Sequence, residues 1–243
     1  DFLSEDPELA PLAERCGVQI RDVRKPPHRK HLHHFSGRID QVGSTRIALL
    51  GTDSAVGKRT TAWILVHALE AAGHTVEMVG TGQTGWLQGA RYSMVLDSLV
   101  NDFVAGELEH QVLRAWDERQ PQAIVIEGQG ALMNPAYPGG LEILAACRPQ
   151  VVVLQHAPTR LEYDGFPGFP IQPIETQIEA LELVSGRKVA AITLNHEGLE
   201  GRAAIDAACA ELHARTGLPV CDPLVHGVDP LIDVVRPHLP ARG

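Results

Sequence analysis

The chain has 243 residues, enough to bury one substantial hydrophobic core. Its 30 acidic and 21 basic residues leave a formal charge of −9, which argues against general nucleic-acid binding and leaves any anion site to local chemistry. With 44% apolar and 21% charged residues it has the make-up of a soluble globular protein, and its apolar runs are too short to span a membrane.

No signal-peptide pattern opens the chain. Cys16, Cys147, Cys209 and Cys221 show no paired metal-type spacing, so they read as buried thiols of a cytoplasmic protein. The first residue is Asp rather than Met, as a fragment of a longer product would have.

Asp6-Pro7-Glu8 is a helix start: an N-cap, a proline at the first helical position and an early acid. Leu9, Leu12 and Ala13 supply its apolar face and Gly17 its stop. Val18 to Val23 alternates like a strand. Residues 24–37 form a basic linker rich in proline and histidine, and the domain boundary is placed there, dividing 1–37 from 38–243. His28, His31, His33 and His34 have no acidic or cysteine partner nearby in sequence. They stand among Arg24, Lys25, Arg29 and Lys30, so the stretch reads as a solvated linker within reach of a ligand phosphate rather than a zinc site.

The stretch from 46 to 61 organises the rest of the chain. Ile47 to Leu50 is a short apolar strand, and it enters a loop with a glycine at each end, Gly51 and Gly57. Lys58 comes next, then a helix whose apolar face is Leu65, Ala68, Leu69 and Ala72. Strand, glycine loop, lysine, helix is the layout of a phosphate-binding loop: backbone N–H groups, a helix N-terminus and a point charge converge on an anion. The candidate contacts are Gly51, Thr52, Asp53, Ser54, Ala55, Val56, Gly57, Lys58, Arg59, Thr60 and Thr61. The loop departs from the common frame at two places. Its first glycine falls one residue early, and Arg59 stands where a Ser or Thr would offer a hydroxyl to Mg²⁺, leaving Thr60 or Thr61 to substitute.

Gly73 ends that helix, and Val76 to Val79, Ala123 to Ile126, Val151 to Leu154, Val189 to Leu194 and Leu218 to Cys221 read as further strands. Helices are expected over about 93–117, 139–147, 174–185, 201–216 and 229–238. In the first of these, Leu96, Leu99, Val100 and Phe103 form the buried face, with Asp97 and Asp102 beside it in reach of a substrate ammonium. Short apolar strands alternating with helices specify an α/β fold, a parallel sheet covered on both faces. Its ligand belongs beyond the carboxyl ends of the strands.

The loops at those ends are polar and glycine-rich. Gly80-Thr-Gly-Gln-Thr-Gly-Trp86 offers Thr81, Gln83 and Thr84 around three glycines, a pattern of close backbone approach to a ligand. Glu127-Gly-Gln-Gly130 puts a carboxylate at the tip of an apolar strand, facing the phosphate loop, with Gln129, Asn134 and Tyr137 following. Glu127 is accordingly a candidate Mg²⁺ ligand together with Thr60, or alternatively an ion-pair partner of Lys58. His156 ends the next strand and is the candidate general base, with Asp164 as the second candidate. Asn195 follows the strand after that, as a turn former or a ligand contact.

These motifs carry two resemblances. Gly51-Thr-Asp-Ser-Ala-Val-Gly-Lys58 and Glu127-Gly-Gln-Gly130 resemble the phosphate loop and a metal-site loop of dethiobiotin synthetase, and Asn195 matches the place from which that enzyme reads adenine. Nearly the whole chain resembles the D-glutamate N-acetyltransferase-like family, domain-of-unknown-function family 1611. The resemblance runs through His34-Phe-Ser-Gly-Arg38, Thr81 to Trp86, Asn101 to Val104, Asn134 to Gly140 and Gln155-His-Ala-Pro158. It implies a P-loop domain preceded by the tail of a Rossmann-like domain at residues 1–23.

Two enzyme readings are compatible with these features. In the first, the loop holds the phosphates of acetyl-CoA and an acetyl group passes to a small acidic amino acid. In the second, it holds Mg-ATP, with Asp53, Thr60 and Glu127 around the metal, and a small carboxylate is phosphorylated on the way to ligation. A nucleotide-dependent switch is the third class, disfavoured by the number of polar loops. The partners expected are a small-molecule substrate and further copies of the chain in a homo-oligomer, with no nucleic acid and no membrane.

Overall fold

The computed structural model describes residues 2–241; Asp1, Arg242 and Gly243, at the outer ends of the two expected domains, lie outside the described residues. The chain opens with a helix, α1 (Leu9–Arg15), whose first turn is capped as the sequence requires. Asp6 Oδ1 accepts from the N–H groups of Glu8 and Leu9, both at 2.9 Å. Two expectations fail in this region. Leu9 and Leu12 of the supposed buried face are 40% and 46% exposed. Val18 to Val23 is not a strand, because Asp22 turns the segment back on the N-terminus by accepting from the N–H groups of Leu3 and Ser4.

The core is a fully parallel sheet of seven strands among the described residues, in the order β3-β2-β4-β1-β5-β6-β7. These are β1 (Thr45–Gly51), β2 (Val76–Gly80), β3 (Tyr92–Ser93), β4 (Ala123–Glu127), β5 (Val151–His156), β6 (Val189–Leu194) and β7 (Val220–Cys221). The connecting helices are α2 (Lys58–Ala71), α3 (Gln83–Leu87), α4 (Asn101–Arg119), α5 (Gly140–Cys147), α6 (Ile174–Ser185), α7 (Gly201–Thr216) and α8 (Asp229–Val235). Alternation along the strands separates two cores. Ile47, Leu49, Val125 and Val153 pack against α2 (Leu65, Leu69) and α8 (Leu231, Val235). Ala48, Leu50, Ile126 and Leu154 pack on the opposite face against α4 (Leu108, Val112), α5 (Ile143) and α6 (Leu181). Both faces are covered, which is why β1, β4 and β5 read as unbroken apolar runs. The chain runs outward from β1 to β2 and β3, returns to insert β4, then crosses to β5. The loops after β1 and β4 therefore diverge at the reversal point where such sheets bind ligands. Among the described residues, no helix is long and apolar enough to cross a membrane.

The expected helix over 93–117 begins only at Asn101. Ahead of it, the N–H groups of Met94 and Leu96 still donate to Gly80 and Thr81, so the chain remains tied to the end of β2. Val100, placed on the buried face, is 52% exposed, while Glu107 and Glu109, which the pattern would send to solvent, are buried. Their carboxylates serve the linker. Glu107 accepts from the His33 N–H at 2.7 Å, and Glu109 from those of Ser36 (2.6 Å) and Ile39 (3.0 Å). At the crossing the helix carries Gly106, where an added Cβ would overlap the His33 carbonyl. The last helix stops at Val235 and tightens into a 3₁₀ turn around Pro237. Cys147, Cys209 and Cys221 are buried as expected, but Cys16 is exposed.

Candidate active site at the carboxyl ends of β1, β2 and β4

The phosphate loop folds around its lysine. A Cβ on Gly51 would lie 2.8 Å from Lys58 Cδ, so glycine there lets the lysine stem pass beneath the loop. Ala55 and Gly57 take left-handed backbone angles (φ 53° and 101°) and turn the chain into α2. Lys58, only 7% exposed, donates from Nζ to the carbonyls of Asp53 (2.6 Å) and Gly130 (2.9 Å). Burial drives its pKa down to about 8, against the pull of Asp53 and Glu127. Lys58 bridges two backbone carbonyls rather than making the alternative ion pair with Glu127.

Asp53 is the loop's internal clamp. Its fully buried carboxylate accepts from four donors: the N–H of Ser54 (2.7 Å), Asn134 Nδ2 (3.3 Å), Arg160 Nη1 (3.1 Å) and the N–H of Asp164 (2.9 Å). Arg160 also donates to the Ser54 carbonyl (2.7 Å) and through Nη2 to Glu197 (2.7 Å), tying the loops after β1, β5 and β6 together. Arg160 stands in plain view within the Gln155–Arg160 run, but no local spacing relates it to a residue 107 positions away.

A cavity of about 530 Å³ opens beside the loop. Ser54, Ala55, Gly57, Lys58, Arg59 and Thr60 line it. Gln83, Thr84, Glu127 and Gln129 also line it, together with Tyr137, Arg24 and Asp97. Glu127 is 4% exposed and accepts the Thr81 N–H at 3.1 Å. Burial raises its pKa above the usual carboxylate range, and the nearby Arg59 and Lys58 charges oppose that shift. Arg59 lines the cavity, and its Nε is shut off from solvent with no hydrogen-bond partner among the described residues.

Several expected contacts fall elsewhere. His156 does not line the cavity; its Nδ1 lies 3.0 Å from Thr52 Oγ1, and burial takes its pKa down to about 4. Asp164 is exposed and meets the site only through its backbone N–H. Asp102 is exposed, 3.9 Å from Arg29, and its neighbour Asp97 lines the cavity instead. Asn134 and Asn195 work inside the protein. Asn134 holds the turn at Ala136 and Tyr137, and Asn195 donates to the Val56 carbonyl (2.9 Å) while accepting from the Glu197 N–H. Thr61 is taken up by Gln155 at 2.7 Å, and Thr81 is fully buried behind Glu127. Gly51, Thr52, Asp53 and Val56 shape the loop from within.

Phosphate groups fit this cavity: Lys58, Arg59 and the N-terminus of a 14-residue helix line it together. Magnesium fits it poorly. Arg59 stands where the common loop has its hydroxyl, although Thr60, the expected substitute, does line the cavity. Asp53 is saturated, and the two lining carboxylates are already engaged, Glu127 near Arg59 and Asp97 with Arg24. Among the described residues, no three His, Cys, Asp or Glu side chains converge as a metal site.

Fold and loop together define a P-loop α/β protein, with the loop at the sheet's reversal point. The chain belongs to the DUF1611 family: the model of that family's P-loop domain (a domain of unknown function, DUF1611_C) matches residues 33–232. It is similar to a DUF1611 family protein from Anabaena variabilis of solved structure, with a TM-score of 0.88 and 32% identity, covering 98% of this chain and 69% of that one. Two relatives named D-glutamate N-acetyltransferase also match. The protein from Tritonibacter scottomollicae is 30% identical over 97% of this chain and 70% of its own length. The one from a Pseudoalteromonas species is 28% identical over 96% and 69%. The sheet alone is shared with a nucleotide-binding protein from Archaeoglobus fulgidus solved with ADP (TM-score 0.53, 16% identity, 76% of this chain and 82% of that one).

Proposed function

We propose that this protein is an N-acetyltransferase that binds acetyl-CoA through its phosphate loop and acetylates the amine of a small acidic amino acid. The observation that carries this reading is Arg59. A loop that splits a phosphoanhydride holds Mg²⁺ at the position after the lysine. Here a guanidinium occupies that position and neutralises phosphate charge itself, which suits a cofactor whose phosphates are gripped and left intact. The names of the two relatives supply the reaction class.

When bound, acetyl-CoA supplies the thioester. Lys58, Arg59 and the N-terminus of α2 hold its phosphates. Glu127, a carboxylate facing the cavity, takes the proton that the substrate ammonium must lose before its nitrogen attacks. A C–N bond forms, the C–S bond breaks, and the leaving sulfur recovers a proton to depart as a thiol. Gly128 and Gly130 line the same cavity, and backbone N–H groups there are the candidates for stabilising the developing oxyanion.

The test is incubation with acetyl-CoA or with Mg-ATP, plus D- and L-glutamate and aspartate. Thiol release that depends on the amino acid is expected. ADP release with no use of acetyl-CoA would sink the reading in favour of a dethiobiotin-synthetase-type ligase.

A further inference from the structure

Part of the cavity lining is built from segments far apart in sequence. Arg24 comes from the linker, Asp97 from the turn before α4, and Tyr137 from the loop after β4. Tyr137 is clamped in place. A Cβ on Gly139 would press on its ring at 3.0 Å, and one on Gly130 would overlap its backbone carbonyl. Its hydroxyl is shut off from solvent and has no hydrogen-bond partner among the described residues. An unpaired donor enclosed in the cavity wall costs free energy, and a hydrogen bond to an entering ligand relieves that cost. Arg24 stands close by. Asp97 Oδ2 holds its Nη2 at 3.0 Å, and the remaining donors of the guanidinium make no hydrogen bond among the described residues.

A phenolic donor beside a half-used guanidinium is a carboxylate receptor, because the fork and the hydroxyl together supply the donors that two carboxylate oxygens accept. We infer that Arg24 and Tyr137 bind a carboxylate of the acceptor amino acid, with Asp97 orienting Arg24. This rests on the acetyl-transfer reading for the name of the acceptor, but not for the existence of the carboxylate site. The phosphate loop and Glu127 line the same cavity, so a carboxylate held by Arg24 and Tyr137 belongs to a ligand that shares it with them.

The test is calorimetry of D-glutamate and of glutarate, which lacks the amine, added to the full chain saturated with CoA. Both compounds bind the native protein. Tyr137→Phe and Arg24→Gln each weaken both compounds by about tenfold, the size of one charge-assisted hydrogen bond lost. Arg24→Lys recovers part of the loss, and CoA affinity stays within about twofold in all three variants. Unchanged glutarate binding in both Tyr137→Phe and Arg24→Gln overturns the proposal, as does a parallel fall in CoA affinity. If glutarate binding depends on Arg24 and Tyr137 but no thiol is released from acetyl-CoA, the carboxylate site stands and the acetyl-transfer reading fails.

Discussion

Asp53 and Arg160 meet at 3.1 Å beneath the phosphate loop, the carboxylate fully buried and the guanidinium side chain 16% exposed. Neither touches the cavity, yet between them they join the loops after β1, β4, β5 and β6. Removing one member strands the other: Asp53→Ala leaves four donors unanswered, and Arg160→Met leaves a buried charge short of its counter-ion. Each costs about 3 kcal/mol in denaturant unfolding, as breaking a buried pair does. The double variant falls short of the sum of the two, since the pair is lost only once.

Glu127 lines the cavity and His156 does not, and the proposed role of base goes to Glu127 on that ground. Glu127→Gln keeps the shape and the Thr81 contact region but has no proton acceptor, so turnover with an acidic amino acid falls by about 10² or more with little change in CoA affinity. His156→Gln retains turnover within a few-fold at pH 7. The histidine has its own signature in stability instead. Its folded pKa of about 4 lies below the ordinary 6.5, so the folded state binds fewer protons across that window. Stability is therefore full above about pH 6.5 and lost as pH falls toward 4, and His156→Gln flattens that slope. A native slope that survives the substitution would show that the acid sensitivity lies elsewhere.

Lys58 gives a pH dependence of opposite interest. Its folded pKa of about 8 lies below the ordinary 10.5, so burying its charge costs stability fully below pH 8, and the cost is relieved as pH rises toward 10.5. Phosphate binding requires the charged form, so affinity for CoA declines as pH rises above about 8 in the lightly loaded protein. Lys58→Met keeps the stem and deletes the charge. It weakens CoA by about 2 kcal/mol or more and removes that decline, while free-protein stability changes by no more than about 1 kcal/mol. Titration calorimetry between pH 7 and 9.5 reads both effects.

The order of strands and helices was legible because a parallel sheet covered on both faces leaves plain runs such as Val151 to Leu154 and capped amphipathic segments such as 174–185. The phosphate loop was legible for the same reason: its glycines and lysine are neighbours in sequence. What the sequence hid are contacts made across the chain. Glu107 and Glu109 look like solvated acids of an amphipathic helix until the linker lies across them and needs acceptors. Val18 to Val23 alternates like a strand, but no sheet edge reaches it. His156 has the chemistry of a base and the right strand end, yet its ring turns toward Thr52 and away from the cavity. Arg24 sits among other cations in a linker, and only the fold brings it beside Asp97 and Tyr137.

Arg59 gives the sharpest test of what kind of phosphate loop this is. Placed after the loop lysine, it brings a permanent positive charge to the position where a hydroxyl would recruit Mg²⁺, and it lies near enough to Glu127 to oppose the burial-driven rise in that group's pKa. CoA and ADP therefore bind the native protein with equal affinity in EDTA and in millimolar Mg²⁺. Arg59→Ser restores the hydroxyl that the common loop sequence carries after its lysine and removes the built-in charge. In EDTA its affinity for both ligands falls by about tenfold or more, the scale of one charge-assisted contact, and Mg²⁺ recovers part of the loss. Thermal shift and calorimetry in the two buffers decide the matter without any assay of turnover. Native binding that strengthens tenfold with Mg²⁺ would return the loop to the metal-dependent class and take away the main support for acetyl-CoA as its ligand.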